Sequence, residues 1–362
     1  MGKRKLSIDV LRGMTIFFMI IVNSPGSWEF VYRPLRHAPW NGCTPTDLVF
    51  PFFVFIVGLS MSYSFRKYHA RERSAWVKKI VSRTLLIFLV GLLLNWFPFF
   101  NKSIADLRIF GVLQRIALAY GLGGMLIIFL AKYYKWAFAV VLLLYWWLLI
   151  QFGGIQPLSL EENAVRYLDL FLWGDQHLYH GYGLPFDPEG LLSALPAVGT
   201  VLFGFYVGKT MQAIDQHPKQ IRALTIIGLT AAIIGMIWHY LGFPINKPLW
   251  SSSYVLFSGG LACLFLAVLI FFIDHLGYRK WTYVFRAFGL NPLISYVLSG
   301  LILKTLFLIK IGEVNLYGWL YVSVFQSLLG DYLGSLVQAI SYTMFIWLFA
   351  WWLYAYNRVI KL

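Results

Sequence analysis

Ten long apolar runs alternate with short polar segments along the chain, at about residues 8–25, 46–65, 79–97, 109–130, 136–152, 191–208, 222–241, 254–273, 287–309 and 333–356. Each holds about 17–24 residues, and at ~1.5 Å per residue that length crosses the hydrocarbon core of a bilayer. The pattern predicts an all-α, polytopic membrane protein with about ten transmembrane helices, forming one transmembrane domain over residues 1–362. Leu316–Leu329 is also apolar but only 14 residues long. It reads as interfacial or re-entrant, with an eleventh span as the alternative. The first run directly follows Met1-Gly2-Lys3-Arg4-Lys5, and no clear small-residue cleavage site follows it, so the first helix is expected to be retained.

Composition supports the class. The chain is 59% hydrophobic and 12% charged, with a mean hydropathy of +0.69, more apolar surface than a soluble domain of this size can cover. The net charge of +15 would suggest nucleic acid in a soluble protein. In a membrane protein the positive-inside bias explains it, so lipid rather than nucleic acid is the expected surrounding. Neither a pairing nor a metal-like spacing involves Cys43 or Cys263.

The basic residues assign the sides. One set of segments holds Lys3, Arg4, Lys5, Arg12, Arg66, Lys67, Arg71, Arg73, Lys78, Lys79, Arg83, Lys132, Lys135, Lys209, Lys219, Arg222, Arg279, Lys280, Arg286, Arg358 and Lys361, which is 21 of the 30 Lys and Arg. Both termini are therefore expected in the cytoplasm. The longest connection, Phe152 to Gly190, is expected outside. It carries Glu161, Glu162, Asp169, Asp175, Asp187 and Glu189 against the single Arg166.

On this topology the unusual polar residues fall near the outer face. Asn23 closes the first run, His37 follows in the first loop, and Asp47 opens the second run. Gln114 and Arg115 lie one to two turns into the fourth. Asp187 and Glu189 precede the sixth, while His239 and Lys247 follow the seventh. Convergence of ionisable groups at one level of a membrane protein is what an active site needs. Each also has a plainer reading. His37 is compatible with an ordinary loop histidine. Asp47, and Asp187-Pro188-Glu189-Gly190, suit helix starts, where carboxylates meet unpaired N–H groups. Arg115, inside a span, calls for an acidic partner, and Asp47 and Glu189 are the candidates. His69, beside Arg66, Lys67 and Arg71, reads as a solvated loop residue. No HExxH, CxxC, GxSxG or P-loop occurs. His177 and His180 lack an evident third ligand, and no metal is expected.

Four blocks carry a family likeness. The first runs from Ser7-Ile8-Asp9-Val10-Leu11-Arg12-Gly13 through Val22-Asn23 to His37-Ala38-Pro39-Trp40-Asn41-Gly42 and Asp47-Leu48-Val49-Phe50-Pro51. The second is Arg108-Ile109-Phe110-Gly111-Val112-Leu113-Gln114-Arg115. The third is Phe186-Asp187-Pro188-Glu189-Gly190-Leu191-Leu192. The fourth is Pro244-Ile245-Asn246-Lys247-Pro248-Leu249-Trp250-Ser251, followed by Gly289-Leu290-Asn291-Pro292. In this order they resemble the heparan-α-glucosaminide N-acetyltransferase family and its bacterial relatives. The resemblance implies transfer of acetyl from cytosolic acetyl-CoA to the amine of a glucosamine-type sugar or glycan across the membrane. It implies His37 as the catalytic histidine and Asn23 as a polar partner in the site. Against the animal lysosomal enzyme the chain is expected to be a compact relative without the extra N-terminal lumenal region. A bacterial inner membrane would follow, and the identity of the acceptor glycan stays open.

The residues suit that chemistry. An ammonium is not a nucleophile, and a neutral imidazole can take its proton as the amine attacks a thioester. Asp47 is expected to orient the ring. Asn23, Asn41 or Arg115 would stabilise the oxyanion. Gln114, Arg115 and Asn291 are the candidates for holding acetyl-CoA. Trp40, Asn41, Asp187, Glu189 and Lys247 are those for the acceptor. The alternative class is an amino-sugar transporter or transport accessory, using the same polar groups to bind. The oligomeric state stays open, with a homodimer as one option.

The topology is testable by cysteine labelling in intact cells. A cysteine placed at Glu161 should react with an impermeant maleimide before permeabilisation. Reaction only afterwards would invert the orientation.

Overall fold

The computed structural model describes residues 5–67, 73–100 and 103–360. Lys3, Arg4, His69, Arg71 and Lys361, read above from the sequence, lie outside the described residues. The fold is helical, with one two-stranded hairpin among the described residues, β1 (Lys310–Ile311) paired antiparallel with β2 (Val314–Asn315). The chain divides into two compact units: Met1–Ala38, Thr44–Phe50 and Phe272–Leu362 form one, and Pro39–Cys43 and Pro51–Phe271 the other.

In the first unit α1 (Leu6–Asn23) packs along α10 (Tyr283–Leu290). The two backbones touch. A Cβ on Gly13 would stand 1.7 Å from the Phe285 carbonyl oxygen, and one on Gly289 would stand 2.2 Å from that of Asp9. Phe17 then meets Phe285 edge-on at 5.4 Å. The α10 helix meets α11 (Pro292–Leu308) at a bend of 78°. Proline supplies no N–H and restricts the residue before it, so Asn291-Pro292 is a natural place for the break. The apolar segment Leu316–Leu329 is α12 (Leu316–Leu320), a π-helical turn (Tyr321–Gln326) and α13 (Ser327–Leu329), followed by α14 (Asp331–Ala355). Gly26 N donates to the Ser335 carbonyl at 3.2 Å, tying the turn after α1 to α14.

In the second unit α7 (Ala194–Gln212) is the most enclosed long helix. It contacts α4 (Val112–Leu130), α5 (Tyr134–Phe152) and α9 (Ser252–Leu269). It also meets α2 (Pro45–Ser64) closely, since a Cβ on Gly58 would lie 1.9 Å from the Val201 carbonyl oxygen and one on Gly204 2.0 Å from that of Phe55. Small residues let membrane helices approach where no hydrophobic effect drives them together. Antiparallel pairs flank this centre, α3 (Arg73–Trp96) with α4 and α8 (His217–Tyr240) with α9. Between α5 and α7 lies the long loop with α6 (Ala164–Trp173), whose N-cap Asn163 accepts from Arg166 N at 2.9 Å. The loop's Phe186, with Tyr145, Leu149, Phe243 and Leu249, forms a dry core against which Trp40 packs.

The helical, membrane-spanning class stands, but the expected count of about ten spans does not. Among the described residues seven segments are long and apolar enough to cross a membrane, or eight if the bent pair Lys280–Leu290 and Pro292–Leu308 is one span. The two runs expected at 109–130 and 136–152 count together as one apolar stretch of 41 residues, Val112–Phe152, within which α4 and α5 are separated by a 3-10 turn, Ala131–Tyr133, entered where Ala131 takes φ 41°. The run expected at 287–309 belongs to the bent pair. The run expected at 79–97 belongs to α3, whose first turns carry Arg73, Lys78, Lys79 and Arg83 and which is not among the seven.

The close approach at α7 sets a prediction. Gly204→Val should drive a branched side chain into the α2 backbone, a cost of about 1–3 kcal/mol or more. The unfolding midpoint in detergent should drop by several degrees, whereas Ile233→Val, on an exposed position of α8, should leave it unchanged.

Candidate active site

In the first unit, His37 sits at the end of a loop stitched to itself by Arg36. The Arg36 guanidinium donates to the Val31 carbonyl at 2.7 Å and to that of Glu29 at 3.0 Å. Thr44 precedes α2, Pro45 begins it, and Asp47 stands in its first turn. Asp47 Oδ2 accepts from Thr44 N at 3.0 Å, the backward arm of a capping box, and from Ala38 N at 3.0 Å. Its Oδ1 lies 2.6 Å from His37 Nδ1. The carboxylate that caps α2 therefore also contacts the His37 ring. A carboxylate only accepts, so Nδ1 carries the ring proton and the basic lone pair is at Nε2. The Asp47 side chain is 1% exposed and that of His37 43%. A buried anion thus holds an imidazole that reaches solvent.

Two other predicted residues belong to this unit. Asn23 is the exposed last residue of α1. Asn291, expected to line a path for acetyl-CoA, uses its amide on the chain's own tail. Its Nδ2 donates to the Arg358 carbonyl at 2.8 Å, and its Oδ1 accepts from Ile360 N at 2.8 Å.

In the second unit the acidic turn closes on Arg108, a residue that site reasoning from the sequence passed over. Arg108 donates from Nε to Asp187 Oδ2 and from Nη2 to Asp187 Oδ1, both at 2.8 Å, and from Nη2 to Glu189 Oε2 at 2.7 Å. Burial alone would lower the pKa of this guanidinium, but the two carboxylates outweigh burial and push it above its ordinary value. Its other face lies 4.7 Å from the Tyr179 ring centroid. The Asp187 side chain is fully buried, and Glu189, 14% exposed, is the acid of the pair that reaches the surface. Asn95 near the end of α3 fixes the irregular segment of Arg108 by donating to the Arg108 and Phe110 carbonyls at 3.0 and 2.9 Å. The signal for Asn95 was its polarity within an apolar run.

Arg115 faces the same turn from α4 and is wholly buried. Its partners are not carboxylates. Its Nη2 donates to the Pro188 carbonyl at 2.8 Å and to Ser193 Oγ at 2.5 Å. Its guanidinium lies 5.1 Å from the ring centroid of Trp250, itself at φ 54°. Neither Nε nor Nη1 has a hydrogen-bond partner among the described residues. The neighbouring Gln114 points elsewhere, its Oε1 against Gly91 of α3. Asp169 of α6 completes the turn, accepting from Leu191 N at 3.1 Å. Its Oδ2 occupies the place of a Gly190 side chain, 1.8 Å from where a Cβ would be. Burial, aided by the charge of Asp187, pushes the Asp169 carboxyl up to about 7, against the opposing pull of the Leu191 hydrogen bond and Arg115.

The remaining predicted residues hold the Pro39–Cys43 loop and the segment after α8. Trp40 Nε1 donates to the Leu158 carbonyl at 2.9 Å, and its ring packs edge-on to Phe186 at 5.4 Å. Asn41 Oδ1 accepts from Asn246 Nδ2 at 3.1 Å, beside a bridge between Gly42 and Asn246. His239 Nδ1 accepts from Ile245 N at 3.0 Å. Lys247 is half-buried. No group of three or more His, Cys, Asp or Glu among the described residues is arranged to hold a metal ion.

Residues 4–243 match the family described as heparan-alpha-glucosaminide N-acetyltransferase, catalytic. The chain belongs to this family. The human heparan-alpha-glucosaminide N-acetyltransferase is 29% identical over 353 residues, covering 81% of this chain and 52% of the human protein. The mouse protein of the same name is 28% identical over 354 residues, covering 82% of the chain and 53% of its own length. The chain thus spans about half the length of these heparan-alpha-glucosaminide N-acetyltransferases. The family match contains His37, Asp47, Arg108, Asp187 and Glu189 and stops before Lys247.

Two outcomes follow from the second unit. Asp187→Asn removes one charge from a buried bidentate pair, and losses of ~3–5 kcal/mol accompany such changes. Thermal unfolding should show this, with a smaller loss for Glu189→Gln at the surface. Asp169 carries a pH signature. A carboxyl raised to about 7 in the folded chain holds its proton where the unfolded one has lost it, so its contribution is full below about pH 4 and is lost as pH rises through 7. Asp169→Asn should flatten that decline in the unfolding midpoint between pH 5 and 8.

Proposed function

We propose that this protein is a membrane N-acetyltransferase that moves acetyl from cytosolic acetyl-CoA to the amine of a glucosamine-type sugar on the outer side, with His37 as general base. The observation that carries this reading is the 2.6 Å contact between His37 Nδ1 and the buried Asp47 carboxylate. Family membership and the name of the matched relatives support acetyl transfer to a glucosaminide.

His37 acts through Nε2. It takes a proton from the acceptor amine as the C–N bond forms at the thioester carbonyl, and Asp47 stabilises the imidazolium that results. The C–S bond then breaks, and the same proton passes to the departing thiolate. The proton returns to solvent-exchangeable sulfur and the histidine is neutral again. Asn23, of the same unit as His37, serves as donor to the oxyanion. Within the second unit Trp40, Glu189 and Lys247 offer a sugar an aromatic face, an anion and a cation. Cytoplasmic termini and a cytoplasmic path for the donor past Asn291 belong to the same proposal.

No covalent intermediate is needed, because an amine attacks a thioester directly. Initial-rate kinetics with acetyl-CoA and glucosamine should be sequential. His37→Ala should lower kcat by about 10²–10⁴-fold, while the unfolding midpoint and CoA binding stay near wild type. Ping-pong kinetics with an acetylated His37 would replace the direct mechanism by a relay. Activity of His37→Ala near wild type would remove the residue from the chemistry. Sugar flux into liposomes without CoA, with no CoA released in the presence of an amine, would support transport instead.

A further inference from the structure

A cavity of about 210 Å³ opens between the first turns of α5 and the second half of α7, lined by Tyr134, Lys135, Phe138, Leu202, Phe203 and Tyr206. Its apolar part is set by Phe138 and Phe203, whose rings stack at 5.6 Å and 17°. Its rim is cationic. The Lys135 ammonium lies 5.0 Å from the Tyr206 ring centroid. Two further ammonium groups on the same two helix ends also lean on rings, Lys132 on Tyr133 at 5.1 Å and Lys209 on Phe205 at 5.8 Å.

Among the described residues no carboxylate pairs with these three cations. Neither α5 nor α7 contains an Asp or Glu. Tyrosine and lysine at a helix end are the composition of a membrane–water interface. These helix ends lie on the side that the basic residues assign to the cytoplasm, where the leaflet is anionic. A furrow that is apolar along its length and positive at its mouth matches an acyl chain joined to a negative headgroup.

We propose that this groove is a site for an anionic phospholipid, with one acyl chain along Phe138 and Phe203 and the phosphate held by Lys135. A second copy of the chain would have to supply a matching acidic patch. A soluble phosphate compound would leave the apolar part uncovered. The site is independent of the histidine chemistry.

Native mass spectrometry of delipidated protein, titrated with phosphatidylglycerol or with phosphatidylcholine of the same chains, tests this. Wild type should retain phosphatidylglycerol about fivefold better, the factor that one headgroup charge contact provides. Lys135→Gln should abolish that preference while leaving phosphatidylcholine unchanged, and Lys310→Gln, an exposed lysine on β1, should behave as wild type. Phe138→Ala should weaken both lipids. Equal retention of the two lipids, or undiminished preference in Lys135→Gln, overturns the proposal. So does displacement of phosphatidylglycerol by CoA, or a dimer that Lys135→Gln dissolves.

Discussion

A polar group buried in an apolar bundle has no water to turn to, so it must be satisfied by the protein itself. The arrangement of both units follows from that constraint. Asp47 is buried, and its two oxygens take an imidazole and two backbone N–H groups. Asp187 is buried, and both its oxygens are taken by Arg108. Asn291 is buried at the α10–α11 break, and its amide closes on the carbonyl and N–H of the C-terminal tail. In each case one side chain satisfies itself by fixing a segment that has no regular structure of its own.

Asp47 shows how economical this can be. A capping box needs an acceptor at the third helical position, and a histidine with its lone pair at Nε2 needs an acceptor at Nδ1. The Thr44–Asp47 turn meets both with one carboxylate, so the start of α2 and the orientation of His37 are mechanically the same event. The ring is thereby set with Nε2 basic.

The acidic turn of the second unit follows a different logic. Its two carboxylates are largely neutralised by Arg108, and Arg115 supports the turn through carbonyls rather than charges. Gly190 is required there because the Asp169 carboxyl fills the space a side chain would need. The turn is therefore tied down from three elements, and of its two carboxylates Glu189 is the one that reaches the surface.

Periodicity and composition alone determined the helical membrane class, because apolar run length answers directly to bilayer thickness. The Pro45-Thr46-Asp47 start of α2 was also legible, since a helix start rests on local chemistry, whereas His37 was singled out through the family likeness. The family likeness came from blocks that keep their order along the chain. What the sequence left undecided depends on partners far apart in it. Run lengths could not tell a continuous apolar segment with a turn at Ala131 from two separate spans, nor foresee the 78° bend at Asn291. The acids at 187 and 189 find Arg108, some eighty positions away, rather than Arg115, because Asn95 fixes the segment that carries Arg108 while Arg115 points at the turn's backbone. Asp169 gave no signal as one acid among six in a loop, and only its burial against Gly190 sets it apart. Such choices are made by desolvation and close packing, which exist only once the chain has folded.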